Sequence, residues 1–238
     1  MEYVEETADE RMQAWCIHCG KGIAGTKANE DHAPSRVLLD KPHPPRLPAM
    51  TVCQPCNTSF SVDEEYLAAF LGAVLAGTTD PSKQRVERAA RILGSNAALV
   101  RRIEQAKRTY QTQGGDERIV WTPEEARVRN VVVKNAKGHV FYELSEPMLE
   151  APSHVSFRPL ESLTTSEREA FEEVSWPNTW PEVGSRMMTR LLRGDDLAGS
   201  WIVVQEGVYR YGVTQRDGGM LVRIVMREYL GAEVFWGE

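Results

Sequence analysis

The sequence lacks a long hydrophobic run, and this limits the classes of protein to which the chain can belong. Its longest apolar stretch, residues 66–77, is shorter than the roughly 20 residues that cross a bilayer as a helix. The first ten residues, MEYVEETADE, carry acidic side chains where a signal peptide has basic ones. We therefore predict a soluble protein of the cytoplasm.

Basic residues are outnumbered by acidic residues over the whole chain. The 238 residues contain 28 Lys and Arg against 34 Asp and Glu, which gives a formal net charge of -6. A content of 42% hydrophobic and 26% charged residues is that of a globular protein and excludes a disordered or collagen-like chain. The negative balance argues against a protein that coats nucleic acid along its entire surface.

Residues 81–110 are the exception, because they hold eight basic and two acidic side chains, a local balance of +6. Such a segment is typical of contact with nucleic-acid phosphates, and it is also typical of a solvated helix face. Leu99, Ile103, Ala106 and Tyr110 follow helical spacing and predict two helices within 82–110, broken near residues 94–96. The candidate nucleic-acid ligands, with DNA favoured over RNA, are Arg101, Arg102, Lys107 and Arg108.

Cysteine is rare, and all four residues fall into two C-x2-C pairs. Cys16 and Cys19 form the first pair, and Cys53 and Cys56 form the second. Two such knuckles can place four thiolates tetrahedrally around a zinc ion, so we predict a structural zinc site. The alternatives are a redox pair or core thiols. His18, inside the first knuckle, is predicted to be a turn residue.

The segment around the second knuckle carries further polar residues. Asp31 and His32 are adjacent and lie just before Pro34, in a proline-rich loop that leads to a short predicted strand at residues 51–52. Asn57 follows Cys56 directly. Ser61 and Glu64 have the spacing of a capping box, which predicts a helix from Ser61 to about Ala76.

Together, C-x2-C, D-H-x-P and C-x2-C-N resemble the zinc-knuckled HNH (ββα-metal) endonucleases, which include phage recombination endonuclease VII and uncharacterised bacterial HNH proteins. The resemblance covers residues 15–65. It implies phosphodiester hydrolysis in which His32 is the general base and Asp31 and Asn57 bind magnesium or manganese. Asn57 has a second possible role, in fixing the loop beneath His32.

The sequence departs from this family at one position. Many members have a histidine or asparagine about two helical turns after the asparagine, whereas this chain has Asp63, Glu64 and Glu65. Asp63 and Glu65 are the candidates for a third ligand. Our leading hypothesis is a metal-dependent HNH endonuclease; the alternatives are a non-catalytic zinc module that binds nucleic acid or a protein, and an interaction protein that recognises its partner through its C-terminal half.

The predicted fold class is α+β, with a zinc-stabilised HNH-like module (1–80), a basic helical segment (81–114) and an α+β domain (115–238). The last domain should contain a helix from Pro123 to about Ala136, a helix capped by Ser166 and Glu169, another helix after Pro181, and an antiparallel meander over 201–236. The tryptophans of 176–180 are predicted to pack on the meander, with base stacking as the alternative. This half contains no phosphate loop, nucleophile elbow or dinucleotide fingerprint. Target recognition, partner binding and self-association all remain open for it.

Overall fold

The computed structural model describes residues 14–45, 47–111, 114–174, 181, 183–193, 197–199, 201–216 and 218–237, with the side chain of Arg118 left out. Within this part the protein is mixed α+β, as predicted, with six α-helices and a six-stranded antiparallel sheet. Contacts divide the chain into one unit of Met1–Phe60 with Val132–Glu238, as far as these are described, and a second unit of Ser61–Val131. This division differs from the sequence-based boundaries near residues 80 and 114.

The first unit begins with a two-stranded hairpin that leads directly into a helix. Strands β1 (Ala28–His32) and β2 (Ala49–Cys53) pair antiparallel, with His32 opposite Ala49 and Ala28 opposite Cys53. Helix α1 (Gln54–Ala76) starts at the residue after β2. The order is therefore β-β-α, with the second cysteine pair at the junction between strand and helix.

The predicted start of helix α1 at Ser61 is wrong. Ser61 and Glu64 lie inside α1, which begins seven residues earlier at Gln54. The neglected signal is Pro55, because proline is well tolerated in the first turn of a helix, where its missing N–H is not needed. The predicted end at Ala76 is confirmed.

The second unit contains two short helices and a hairpin. Helices α2 (Glu87–Ser95) and α3 (Ala97–Gln105) are separated at Asn96, whose side chain accepts a hydrogen bond from the Leu99 N–H at 3.0 Å, so the predicted break is confirmed. The continuation of the helix to Tyr110 is wrong. Residues Lys107–Gln111 form β3, which pairs with β4 (Glu117–Trp121).

Helix α4 (Glu125–Leu144) is longer than the predicted helix that ends near Ala136. It starts two residues after Pro123, so Pro123 precedes the helix and does not occupy its first position. The C-terminal half of α4 is buried, and it includes polar residues that break the expected amphipathic pattern. These buried polar residues are Lys134, Asn135, Lys137, His139 and Glu143.

The predicted C-terminal meander is confirmed and extended. Strands β7 (Trp201–Gln205), β8 (Tyr209–Arg216), β9 (Gly219–Met226) and β10 (Leu230–Trp236) pair antiparallel in sequence order. Two strands that the sequence did not predict form the two edges of the sheet. Strand β5 (His154–Pro159) pairs with β10, and β6 (Leu197–Ala198) pairs with β7.

Two short helices accompany this sheet. Helix α5 (Thr165–Glu172) is capped by Thr164 and Glu167, two residues before the predicted Ser166 and Glu169, because the Thr164 hydroxyl accepts from the Glu167 N–H. Helix α6 (Arg186–Arg193) is the helix expected after Pro181. The predicted tryptophan loop at 176–180 lies outside the described residues.

A buried polar network links α4, α6 and β8. The Arg190 guanidinium lies 2.8 Å from the Glu143 carboxylate, and both side chains are 0% exposed. The other carboxylate oxygen of Glu143 accepts from the Tyr211 hydroxyl at 2.6 Å. His139 stacks on Tyr211 with ring centroids 3.7 Å apart, and burial lowers the pKa of this histidine well below its ordinary value. The neutral His139 is therefore part of the core.

Among the helices of the described residues, none combines the length and the apolar character that a membrane span requires.

Candidate metal centre

The first cysteine pair lies in a tight turn near the N-terminal end of the described chain. The Gly20 N–H donates to the Cys16 carbonyl at 2.8 Å, and the Cys16 N–H donates to the Lys21 carbonyl at 2.9 Å. Gly20 has a φ of 69°, a left-handed conformation that glycine adopts without steric cost. This turn brings Cys16 and Cys19 to one side of the backbone.

The second pair is placed by the junction of β2 and α1. Cys53 is the last residue of β2, and Cys56 lies in the first turn of α1. Cys16 and Cys53 are buried in a small core with Met50, Val52 and other apolar residues. Two of the four cysteines are therefore held in this small core, whereas Cys19 is exposed.

All four sulfur atoms lie within 4.8 Å of one another, and the sulfurs of Cys19 and Cys53 are 3.8 Å apart. Thiolates bound to zinc at about 2.3 Å in a tetrahedron stand about 3.8 Å from each other, so the spacing fits this ion. All four cysteines are free rather than joined in disulfides. The cluster is compatible with the predicted structural zinc site.

Backbone groups favour the ionised form of one of these cysteines. Burial by itself raises the pKa of Cys16, but backbone N–H groups of Cys53, His18 and Cys19 hydrogen-bond to its sulfur and lower the pKa to about 7. Burial and the neighbouring sulfurs instead raise the pKa of Cys56. A zinc ion would overcome the mutual repulsion of the thiolates, because a coordinating thiol is deprotonated by the metal.

The Asp31 carboxylate lies next to the cysteine cluster, but protein groups already surround it. Its Oδ2 atom is 3.0 Å from the ring Nε2 of His18, which belongs to the first knuckle. Its Oδ1 atom is 2.6 Å from Nζ of Lys134 on α4. The exposed fraction is 6% for the side chain of Asp31 and 2% for that of Lys134.

Lys134 contacts two further oxygen atoms near Asp31. Its ammonium donates to the Ser35 hydroxyl at 2.9 Å and to the His32 carbonyl at 3.1 Å. The Asn135 side chain accepts from the Ser35 N–H at 2.8 Å, which fixes the loop that follows β1. Helix α4 lies close to this loop because Gly138 has no side chain. A Cβ added to Gly138 would stand 2.5 Å from the Ala33 methyl.

These contacts decide whether Asp31 fits the predicted magnesium or manganese ion. Burial alone raises the pKa of Asp31, but the hydrogen bond from His18 and the charge of Lys134 lower it below its usual value, so the carboxylate is ionised and paired. A divalent ion takes carboxylate oxygens together with several waters. A buried carboxylate with both oxygens bound by protein groups does not fit that requirement.

His32, the predicted general base, is buried at the end of β1. Burial and the nearby charge of Arg36 lower its pKa below the ordinary value. The imidazole is therefore neutral at physiological pH, as a general base must be. Because successive side chains of a strand point to opposite faces, Asp31 and His32 do not face the same side of β1.

The remaining predicted ligands do not join Asp31. In the described part of the chain, no hydrogen bond or ion pair connects the half-buried Asn57 to Asp31 or His32. Asp63 binds Arg127 and Asn130 through its two oxygens, each at 2.7 Å. Glu65 accepts from Asn96 at 3.3 Å. Of the residues that the structure describes, only the four cysteines bring three or more His, Cys, Asp or Glu ligands together.

The predicted nucleic-acid ligands are distributed over two kinds of element. Arg101 and Arg102 lie on α3 and are exposed. Arg108 is also exposed, but it lies on β3 and not on a helix. Lys107 is half-buried on the same strand, with its ammonium 5.5 Å from the ring centroid of Trp121.

Two residues of the Asp31 site escaped the sequence analysis. His18 lies in a turn, as predicted, but the sequence analysis missed that its ring contacts Asp31 and packs edge-on against Phe60. Lys134 lies 102 residues after His32, on a helix to which the sequence analysis assigned no functional residue. A lysine within the run VVVKNA was the only available signal, since an amphipathic surface helix rarely places a charge among so many valines.

Comparison with protein-family models, with curated proteins and with solved structures finds no match. The resemblance to HNH endonucleases therefore rests on the motifs of residues 15–65.

Proposed function

We propose that this protein binds nucleic acid and that its zinc-knuckled module is a scaffold that does not hydrolyse phosphodiester bonds through a divalent ion. The module would hold the hairpin, α1 and the Asp31 network in one arrangement. Nucleic acid would be bound chiefly by residues 81–110, which we call the basic segment.

The observation that carries this proposal is the exposure of the basic segment. Seven of its eight basic side chains are exposed to solvent, and only Lys107 is half-buried. Its two acidic residues are engaged, since Glu87 pairs with Arg91 and Glu104 accepts from Thr79. Lys83 and Arg102 also have acidic partners, Asp80 and Glu124, but both keep exposed side chains. A surface with this surplus of exposed positive charge attracts a polyanion through its phosphates.

The hairpin that ends the basic segment adds an aromatic group. Tyr110 on β3 is 51% exposed and lies two residues after the exposed Arg108. Aromatic rings next to cationic side chains stack on unpaired bases, which is a common mode of single-strand binding. The combination favours a nucleic acid over an acidic protein as the partner, because an acidic protein offers no bases to stack.

Binding is favoured over cleavage by the state of Asp31. Hydrolysis by the predicted mechanism needs a divalent ion on this carboxylate, and Lys134 and His18 bind both of its oxygens. No described acidic residue completes a ligand set around it. These contacts support a module that carries the nuclease-like motifs but lacks an open catalytic metal site.

Metal-dependent HNH cleavage is the second candidate function, and one observation favours it. Asp31 and His32 end the first strand of a β-β-α arrangement, and Asn57 lies beside a zinc-site cysteine at the start of the helix. This β-β-α order supports the second candidate, because it is the order that the ββα-metal resemblance implies. Cleavage would require Lys134 to leave Asp31 when the divalent ion binds.

A double charge reversal tests the proposed binding. Arg101→Glu combined with Arg108→Glu should weaken binding to single-stranded DNA and RNA and reduce the slope of log K against log salt by about two units, because each lost phosphate contact removes about one released counterion. The measurement is fluorescence anisotropy over a salt titration.

The matched control is Arg193→Glu combined with Arg216→Glu, which changes the net charge equally at two exposed sites outside the basic segment. This control should retain most of the affinity. If both double variants lose affinity equally, the effect is one of overall charge. If Arg101→Glu combined with Arg108→Glu leaves the affinity unchanged, the basic segment is not the binding site.

A further inference from the structure

We propose that the ammonium group of Lys134 occupies a built-in cation site, and that removing this side chain converts the site into one for a divalent metal ion. The wild-type protein would thus carry a covalently attached cation in place of the magnesium or manganese predicted for Asp31. This inference extends the proposed function, because it identifies the group that keeps the module from binding a catalytic metal.

The groups around Nζ of Lys134 are those of a hard-cation site. A carboxylate oxygen of Asp31, a hydroxyl oxygen of Ser35 and the carbonyl oxygen of His32 lie at 2.6, 2.9 and 3.1 Å. Carboxylate, hydroxyl and carbonyl oxygens are also the ligands that magnesium, manganese and calcium prefer. The three oxygen atoms that could bind a metal ion here bind the Lys134 ammonium instead.

The surroundings fix this arrangement in place. The loop after β1 is tied to α4 through Asn135 and Ser35, and Gly138 allows the helix to lie directly against Ala33. Both charged side chains are almost fully buried, so the lysine has no solvated position close by. A buried charge that loses its partner is strongly disfavoured, which keeps Lys134 on Asp31.

The lysine excludes a divalent ion for two reasons. Its ammonium repels a second cation at the same carboxylate oxygen, and its chain fills the space that the ion and its waters would need. Replacing Lys134 with alanine removes both obstacles and leaves the buried Asp31 without its ion pair. A metal ion with waters can then restore the missing positive charge.

The test uses Mn²⁺ as the probe and the full-length protein with its zinc content measured beforehand. Bound Mn²⁺ loses the sharp electron paramagnetic resonance signal of the free ion, so titration gives the bound fraction directly. Lys134→Ala should bind ~1 Mn²⁺ per chain with a dissociation constant on the order of 10⁻⁴ to 10⁻³ M, the weak end of the range known for calcium sites built from oxygen ligands. Wild-type protein should leave the signal unchanged over that range.

Two controls separate the effect of the Asp31 charge from the effect of the side-chain volume at position 134. Asp31→Asn combined with Lys134→Ala keeps the space but removes the carboxylate charge, and it should not bind Mn²⁺. Lys134→Met removes the same charge but keeps the volume of the chain, and it should not bind Mn²⁺ either. Melting of Lys134→Ala should rise on addition of Mn²⁺, whereas melting of Lys134→Met should not.

Three results would overturn the proposal. The first is a folded, zinc-containing Lys134→Ala that binds no more Mn²⁺ than the wild type. The second is wild-type binding of Mn²⁺ that Asp31→Asn abolishes, because the lysine would then not exclude the ion. If Lys134→Ala purifies unfolded, refolding with Mn²⁺ should rescue it, and failure of that rescue is the third. None of these measurements involves nucleic acid, so their outcome is distinguishable from the outcome of the binding assay.

Discussion

Replacing Cys53 with serine should remove zinc from the purified protein and unfold the hairpin together with the start of α1. Cys53 ends β2, is buried and belongs to the cluster of four cysteines, so its replacement leaves only three sulfur ligands. Structural zinc sites contribute about 10–16 kcal/mol in small zinc modules, which exceeds the total stability of most domains. Elemental analysis and circular dichroism with and without added zinc measure both effects.

Met50→Ala is the matched control for this variant. Met50 is buried in the same small core but offers no thiolate. Its loss should cost about 2–5 kcal/mol and leave the zinc content unchanged. A Cys53→Ser protein that retains about one zinc per chain and melts like the wild type would exclude the zinc-stabilised module.

Replacing Arg190 with methionine should produce the second large effect, a loss of about 3–5 kcal/mol in the free energy of unfolding. The variant leaves the fully buried Glu143 carboxylate with the Tyr211 hydroxyl but without its cation. The penalty arises because an uncompensated charge remains in the core. Chemical denaturation monitored by tryptophan fluorescence gives the value.

A double variant distinguishes the charge effect from lost packing. Arg190→Met combined with Glu143→Leu removes both charges and should regain much of the lost stability, because an apolar pair needs no counter-charge. Tyr211→Phe removes one hydrogen bond to the carboxylate and should cost only about 1–3 kcal/mol. If the double variant is as unstable as Arg190→Met, packing and not charge explains the loss.

The cysteine cluster and the meander could be predicted because their signals are local. Two C-x2-C pairs restrict where four sulfurs can go, and the strands from Trp201 to Trp236 are β-rich runs separated by short glycine-containing turns. The β-β-α order around residues 28–76 is also consistent with the resemblance, although its first strand was not recognised.

Residues 97–121 show why helical spacing alone can mislead. Leu99, Ile103, Ala106 and Tyr110 keep helical spacing, but the chain leaves the helix at Gln105. The residues after it pair with β4, and Gly114 and Gly115 lie between the two strands of this hairpin, where the sequence predicted a domain boundary. Cross-strand pairing thus overrode a local pattern that fits a helix equally well.

The Asp31 site shows which functional residues the sequence could identify and which it could not. The sequence identified Asp31 and His32 because they are adjacent and lie between cysteine pairs. It could not identify Lys134, because the partner of a buried charge is set by tertiary packing of a helix distant in sequence. That one contact changes the expected chemistry of the carboxylate from a metal ligand to half of an ion pair.

Binding of nucleic acid without metal-dependent hydrolysis can be tested by following the integrity of the bound nucleic acid. The protein is incubated with supercoiled plasmid, single-stranded DNA and RNA, in Mg²⁺ or Mn²⁺, at concentrations at which anisotropy shows saturated binding. Products are then separated on denaturing gels, with His32→Ala and Asp31→Ala in parallel.

We expect salt-dependent complexes in which all three nucleic acids stay intact with either ion, and no difference in integrity between the wild type and the two variants. Cleavage by the wild type that requires a divalent ion, and that both His32→Ala and Asp31→Ala abolish while they keep their zinc, would contradict it and establish HNH hydrolysis instead.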